Sequence, residues 1–260
     1  MTRWSRLNRL IFVASLCLQG AAVAADSGVQ AEQTLGSLKS RPRIALIIDD
    51  LGNGLSAGKR VVGLTGPVAC AILPHTPYAK TIARQAHGAG KEVMLHLPLQ
   101  PMAQVQPNAV GSIEIDNTRS ELVRILNADI RSVPHVVGVN SHMGSLLTQH
   151  PGHMRWLMVE LKAKSIFFVD SFTTSSSVAL KLADEYGVRA IRRDVFLDNV
   201  PTRENINREF NHLKELASAN GYGVGIGHPY PETLDYLEEV LPQLKAEGID
   251  LVTIATLIDH

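Results

Sequence analysis

The residues best suited to chemistry are two adjacent acids, a set of histidines, and the positions they hold. Asp49-Asp50 follows the apolar run Ile44-Ala45-Leu46-Ile47-Ile48 directly. His96 closes Glu92–Leu97, Asn140-Ser141-His142 closes Val136–Asn140, Asp170-Ser171 closes Ser165–Asp170, and His228 follows Tyr222–Gly227. One Asp with two His is a ligand set suited to Zn²⁺, and three protein ligands leave a position open for water. A metal in such a site lowers the pKa of water toward 7 and polarises a carbonyl. A second carboxylate then takes a proton and a separate histidine returns one. The sequence supplies each part: Asp50, His96 and His142 for the metal, Asp49 as base and His228 as acid. Zn²⁺ fits the donors, with Co²⁺, Ni²⁺ and Fe²⁺ as alternatives.

These residues are useful only if one scaffold gathers them. From Arg43 onward, short apolar β-branched runs alternate with longer segments of helical period. The further strand candidates are Val68–Ile72, Arg189–Ile191 and Asp250–Thr253. The helix candidates are Gly58–Leu64, Ala79–Ala89, Thr118–Ser132, Met154–Lys164, Ser177–Tyr186, Arg203–Asn220 and Thr233–Glu247. Near-continuous apolar strands imply an α/β fold with parallel strands covered by helices. Seven or eight such units can close into a barrel, and an open doubly wound sheet is the competing architecture. Either way, the site lies at the C-terminal ends of the strands, where the acids and histidines fall.

The chain has 260 residues, 45% hydrophobic and 19% charged, which is enough to bury a core and excludes disorder. Basic and acidic residues balance at 25 each, so no basic footprint points to nucleic acid. Arg3, Arg6 and Arg9, the apolar run Leu10–Leu18 and Ala22-Val23-Ala24 read as a signal peptide over 1–24. Its apolar part is too short to span a bilayer comfortably, so no stable membrane span is expected after cleavage; the alternative reading is an uncleaved anchor. Cleavage removes three of the 25 basic residues and no acid, leaving a chain of formal charge −3. It also removes Cys17, and the remaining Cys70 reads as an inert core residue. Residues 25–40 read as a flexible leader, and 41–260 as one domain.

Taken in order, Ile47-Ile48-Asp49-Asp50, Gly90-Lys91-Glu92-Val93-Met94-Leu95-His96 and Gly225-Ile226-Gly227-His228 resemble the NodB-type polysaccharide deacetylases. Asn140-Ser141-His142-Met143-Gly144-Ser145, Val169-Asp170-Ser171 and Arg192-Arg193-Asp194-Val195-Phe196-Leu197-Asp198 resemble signatures of the divergent, YibQ-like bacterial branch. The resemblance implies a distorted (β/α)7 barrel, metal-assisted removal of acetyl groups from an acetylated glycan, and, with the signal peptide, a periplasmic location. It assigns Asp49 as base, Asp50 and His96 as metal ligands and His228 as the late histidine. The family's second histidine, four residues after the first, falls here on Gln100, so His142 is expected to replace it. The arginine-bearing motif is not evident in its standard form, and Arg193 is the candidate for that charge.

Gln100, Asn140, Ser141, Asp170, Ser171, Arg193 and Tyr230 are the candidates for contact with substrate. The alternative reading is an inactive glycan-binding or envelope-assembly protein on the same barrel. A third is a phosphoesterase or a glycosidase, the latter needing two facing carboxylates such as Asp49 and Asp170. The remaining histidines read as structural: His75 as a solvated loop residue, His150 and His153 as surface or capping positions, His87, His135 and His212 without evident partners, and His260 as terminal.

Overall fold

A computed structural model describes residues 41–103 and 109–259. Residues 1–40, where a signal peptide and a leader are expected, and His260 lie outside the described residues. Nine parallel strands alternate with helices: β1 Arg43–Leu51, α1 Leu55–Gly63, β2 Ala69–Ile72, α2 Ala79–Gly88, β3 Val93–Leu99, α3 Arg119–Ser132, β4 Val136–Met143, α4 Pro151–Ala163, β5 Phe167–Asp170, α5 Ala179–Glu185, β6 Ala190–Arg192, β7 Val195–Phe196, α6 Arg203–Asn220, β8 Tyr222–Gly227, α7 Pro231–Val240, β9 Asp250–Leu251 and α8 Ile254–Ile258. Among the described residues, no helix is long and apolar enough to cross a membrane.

The sheet runs β6-β5-β4-β3-β2-β1-β8-β7, with β9 added beside the start of β1. Its outermost strands, β6 and β7, are separated only by Arg193 and Asp194. Three Cα steps span at most about 11 Å, so the sheet must curl until its two edges nearly meet. The result is a distorted barrel with a seam, as expected of a sheet that no ladder closes.

Strand alternation divides the strand residues between two cores. Ile44, Leu46 and Ile48 of β1 and Val93, Leu95 and Leu97 of β3 pack outward with the helices. Ala45 and Ile47, Ala69 and Ala71, Met94, Phe167 and Val169, and Val224 and Ile226 face inward. At Gly138 of β4, a Cβ would lie 2.1 Å from the Phe167 ring, so that ring occupies the space a side chain would need. Helix α8 closes the far end of the barrel through Ile254 and Leu257. Its first two amides, Ile254 N and Ala255 N, donate to the Glu92 carboxylate at 2.7 and 3.0 Å. Two free N–H groups of a buried helix start are thereby satisfied from the foot of β3. Burial pushes the Glu92 carboxyl upward despite these bonds.

Toward the mouth, β3 and β4 run past their neighbours. The β2–β3 ladder stops at Ile72↔Leu95 and the β4–β5 ladder at Asn140↔Val169, while β3 and β4 stay paired to Leu99↔Met143. Pro98 is tolerated there because β3 has no β2 partner at that level. This extended ribbon carries the two histidines of the site.

Candidate metal centre

Each residue at the mouth continues an inward-facing row. Ala45 and Ile47 lead to Asp49, Met94 to His96, Gly138 to Asn140 and His142, Val169 to Ser171, and Val224 and Ile226 to His228. Alternation alone would send Asp50 outward. Instead the β1–β2 register breaks between Ile48 and Leu51, and Asp50 adopts a left-handed backbone with φ 55°. Asp is one of the few side chains that tolerates this conformation. The bulge turns both carboxylates toward one imidazole from opposite sides. Asp49 Oδ1 lies 3.6 Å from His96 Nδ1, and Asp50 Oδ1 lies 3.2 Å from His96 Nε2.

His142 completes the group. The register pairs His96 with Asn140 and Pro98 with His142, making the two histidines diagonal neighbours on adjacent strands. His142 Nδ1 is 3.0 Å from Asp50 Oδ1 and 3.1 Å from His96 Nε2. Asp50, His96 and His142 are the one group of three or more His, Cys, Asp or Glu among the described residues whose ligand atoms converge as a metal site requires. Donors held about 2.1 Å from one centre lie about 3.0–3.4 Å apart, which is the spacing seen here. Asp50 Oδ1 is buried, yet no N–H is aimed at it within hydrogen-bonding geometry. A buried carboxylate oxygen without a donor, facing two ring nitrogens, fits a divalent cation better than a self-sufficient hydrogen-bond network.

The electrostatics agree with this fit. Burial opposes charge on Asp50, but the neighbouring His142 and His96 imidazoles outweigh it and hold the carboxyl well below the usual range. Burial likewise disfavours charge on His96, but Asp49 and Asp50 outweigh it and lift the ring to about 9. The field that retains a proton here also attracts a cation. Asp49 is shifted the other way: burial raises its carboxyl, with His96 and Asn140 offsetting only part of the effect.

Across the mouth, His228 is held by Asp198, a residue for which the sequence suggested no role. Asp198 is 2% exposed and its carboxylate accepts from His228 N at 2.6 Å, His228 Nδ1 at 2.8 Å and Thr233 Oγ1 at 2.7 Å. This leaves His228 Nε2 as the nitrogen free for proton exchange. Burial lowers the ring's proton affinity, but the Asp198 hydrogen bond and charge outweigh it and raise the pKa. Phe196 stacks on the His228 ring at 6.0 Å, and Tyr230, 41% exposed, lies 5.5 Å from it.

Four of the expected substrate contacts are engaged elsewhere or face away from the mouth. Gln100 Oε1 accepts from Ile115 N at 2.8 Å and anchors the chain returning from β3, outside the histidine cluster. Ser141 falls between two inward residues, so it faces the helix layer, where its buried Oγ has no partner. Asp170 also faces outward and accepts from Phe172 N and Ser177 Oγ at 2.9 and 2.7 Å, the turn-and-cap role, so it does not oppose Asp49 as a glycosidase pair would require. Arg193 donates to the Ser171 and Phe172 carbonyls at 2.7 and 3.1 Å and lies 3.8 Å over the Phe196 ring, bracing the seam.

Ser171 and Asn140 do reach the cluster, as supports rather than exposed contacts: Asn140 Nδ2 donates to Asp49 Oδ1 at 2.7 Å and approaches Ser171 Oγ at 3.4 Å. His75 is an exposed turn residue, as expected, but it has a partner: its Nε2 lies 2.7 Å from fully buried Asp129. His87 and His135, which had no evident partner, stack on each other at 3.9 Å. His150 caps α4, accepting from His153 N at 3.4 Å.

The comparisons with known proteins agree with this architecture. Residues 46–258 match the family model described as divergent polysaccharide deacetylase. The uncharacterized protein YibQ of Escherichia coli (strain K12) is 33% identical over 218 residues, covering 84% of this chain and 68% of its own. An uncharacterized protein of Agrobacterium tumefaciens C58 superposes with a TM-score of 0.80 at 18% identity, covering 85% of this chain and 91% of its own. The catalytic domain of a peptidoglycan N-acetylglucosamine deacetylase from Eubacterium rectale superposes at 0.53 and 12% identity, covering 83% and 90%. The match along nearly the whole barrel establishes that this chain belongs to the divergent polysaccharide deacetylase family.

Proposed function

We propose that the chain removes acetyl groups from a sugar polymer in the periplasm, using a divalent cation, Zn²⁺ by the chemistry of its donors, held by Asp50, His96 and His142. The observation that carries this reading is the single imidazole shared by two carboxylates, with Asp50 on the side of the converging ligand atoms and Asp49 on the other. A cation there supplies Lewis acidity, polarising the acetyl carbonyl and acidifying water. Asp49, with Oδ1 held by Asn140, takes a proton from the water that attacks the carbonyl carbon. His228 Nε2, with Nδ1 fixed on Asp198, gives a proton to the departing sugar amine or hydroxyl as the acyl bond breaks and acetate leaves. The raised proton affinity of His228 suits it to that delivery. Tyr230, exposed beside His228, offers an aromatic face to a sugar ring.

The test is acetate release from acetylated oligosaccharides by the metal-stripped protein before and after reloading with zinc. Release should vanish on chelation and return with zinc, and Asp50→Ala should abolish both zinc binding and release. Full activity in the chelated protein would overturn the mechanism. A second reading, a glycan-binding protein without turnover, is favoured by Gln100, which has left the cluster to hold Ile115. Saturable glycan binding with no acetate release would select it. The periplasmic assignment rests on Arg3, Arg6, Arg9, the run to Leu18 and Ala22-Val23-Ala24. Retention of the tagged full chain in the cytoplasm would refute it.

A further inference from the structure

Asn140 is fully buried on the inner face of β4, and the two ends of its amide have different neighbours. At one end, Asp49 Oδ1 lies at 2.7 Å and Ser171 Oγ at 3.4 Å. At the other, His96 Nδ1 lies at 3.0 Å. Asp49, the base of the proposed mechanism, acts there as a carboxylate and has no proton to give. The Ser171 hydroxyl proton is committed to the Ser141 carbonyl at 2.9 Å. Both neighbours at the first end therefore only accept, and the NH₂ of Asn140 must face them. Its carbonyl oxygen must then face His96, so Nδ1 of that ring carries the proton. The lone pair is left on Nε2, the atom 3.2 Å from Asp50 Oδ1 and 3.1 Å from His142 Nδ1.

We propose that Asn140 is a positioning residue that holds His96 in its Nδ1–H tautomer and so aims the Nε2 lone pair at the metal centre; this rests on the metal reading above. The proton arrangement is dictated from outside the ring: Asp49 and Ser171 orient the amide, and the amide selects the tautomer. A hydrogen-bond partner on the far nitrogen of a metal-binding histidine fixes both ring orientation and ligand basicity. Asn140 also ties the ligand to Asp49, so the two cannot move independently. Its buried amide is not available to bind substrate.

Two measurements test this. The first is the ¹⁵N spectrum of the histidine-labelled, metal-free full chain, recorded at a pH high enough that the His96 ring is neutral. His96 should show a protonated Nδ1 and a bare Nε2, and an Nε2–H tautomer would overturn the proposal without any substitution. The second is calorimetric titration with zinc alone. Asn140→Leu should weaken zinc binding about 10–100-fold. Native affinity in Asn140→Leu would also overturn it. A native chain with the Nδ1–H tautomer that binds no zinc would refute the metal reading while leaving the tautomer assignment standing.

Discussion

The inner face of β3 bears a polar group at each end, and the two ends have opposite characters. At the foot, the Glu92 carboxylate accepts two main-chain amides from the start of α8. At the mouth, the Asp49 carboxylate beside His96 is held by one side-chain donor, Asn140. Burial raises both carboxyls. What separates them is the kind of donor. Backbone amides neither titrate nor rotate away, so Glu92 is committed to closing the barrel. A side-chain amide coupled to a histidine leaves Asp49 linked to a titratable ring, as the proposed base role requires. A perturbed carboxyl is thus not by itself a mark of chemistry, and its partners decide the matter.

The contrast can be broken at several points. The largest effect is expected at the mouth: Asp198→Asn removes the charged partner of His228 Nδ1 and should lower kcat about a hundredfold or more, within the range general acid–base groups contribute. Zinc affinity should not change, and a kcat near the native value would show that His228 needs no such partner. At the foot, Glu92→Ala leaves two helix-start amides unsatisfied and should cost about 2 kcal/mol. That corresponds to a melting temperature lower by about 4–8 °C, with zinc binding intact; a zinc defect would erase the distinction between the two ends.

Asp129 is an intermediate case. One of its oxygens meets His75, the other has no partner among the described residues, and burial raises the carboxyl to about 6. An acid whose pKa is raised on folding stabilises the fold in its protonated form, and that contribution is lost as pH rises from about 4 through about 6. The chain should therefore gain about 1 kcal/mol of stability from this group on going from pH 7 to pH 5. Melting curves of Asp129→Asn should lack that increment; an unchanged pH dependence would show that His75 already neutralises the cost.

Much of this arrangement is legible in the sequence where it follows from periodicity. The β-branched run ending at Asp49-Asp50 locates β1 and its acids, and the Arg203–Asn220 helix and Tyr222–Gly227 strand stand as read. The extended ribbon is not legible. Pro98 and the polar Ser141-His142 interrupt their apolar runs, so β3 and β4 read shorter than they are, although the end of the β2 and β5 ladders before that level permits both. Pro242 ends α7 at Val240 and leaves a single 3₁₀ turn where a helix to Glu247 was expected, because it lacks an N–H. The two-residue β7 and the five-residue α8 are too short to show a period. The role of Asp198 depends on His228, 30 positions away, and no local pattern reports that pairing. The direction of Asp50 depends on a backbone bulge rather than on residue type.

That bulge also narrows the ways this site can change over generations. A left-handed residue at position 50 suits Asp, Asn and Gly, and penalises most other side chains. Aspartate codons reach those of asparagine or glycine by one base change, and either replacement would keep the turn while discarding the ligand. A single nucleotide thus separates this barrel from an equally well-folded one that lacks one of the three converging ligand atoms, which makes silent descendants of this architecture easy to produce and hard to distinguish by fold alone.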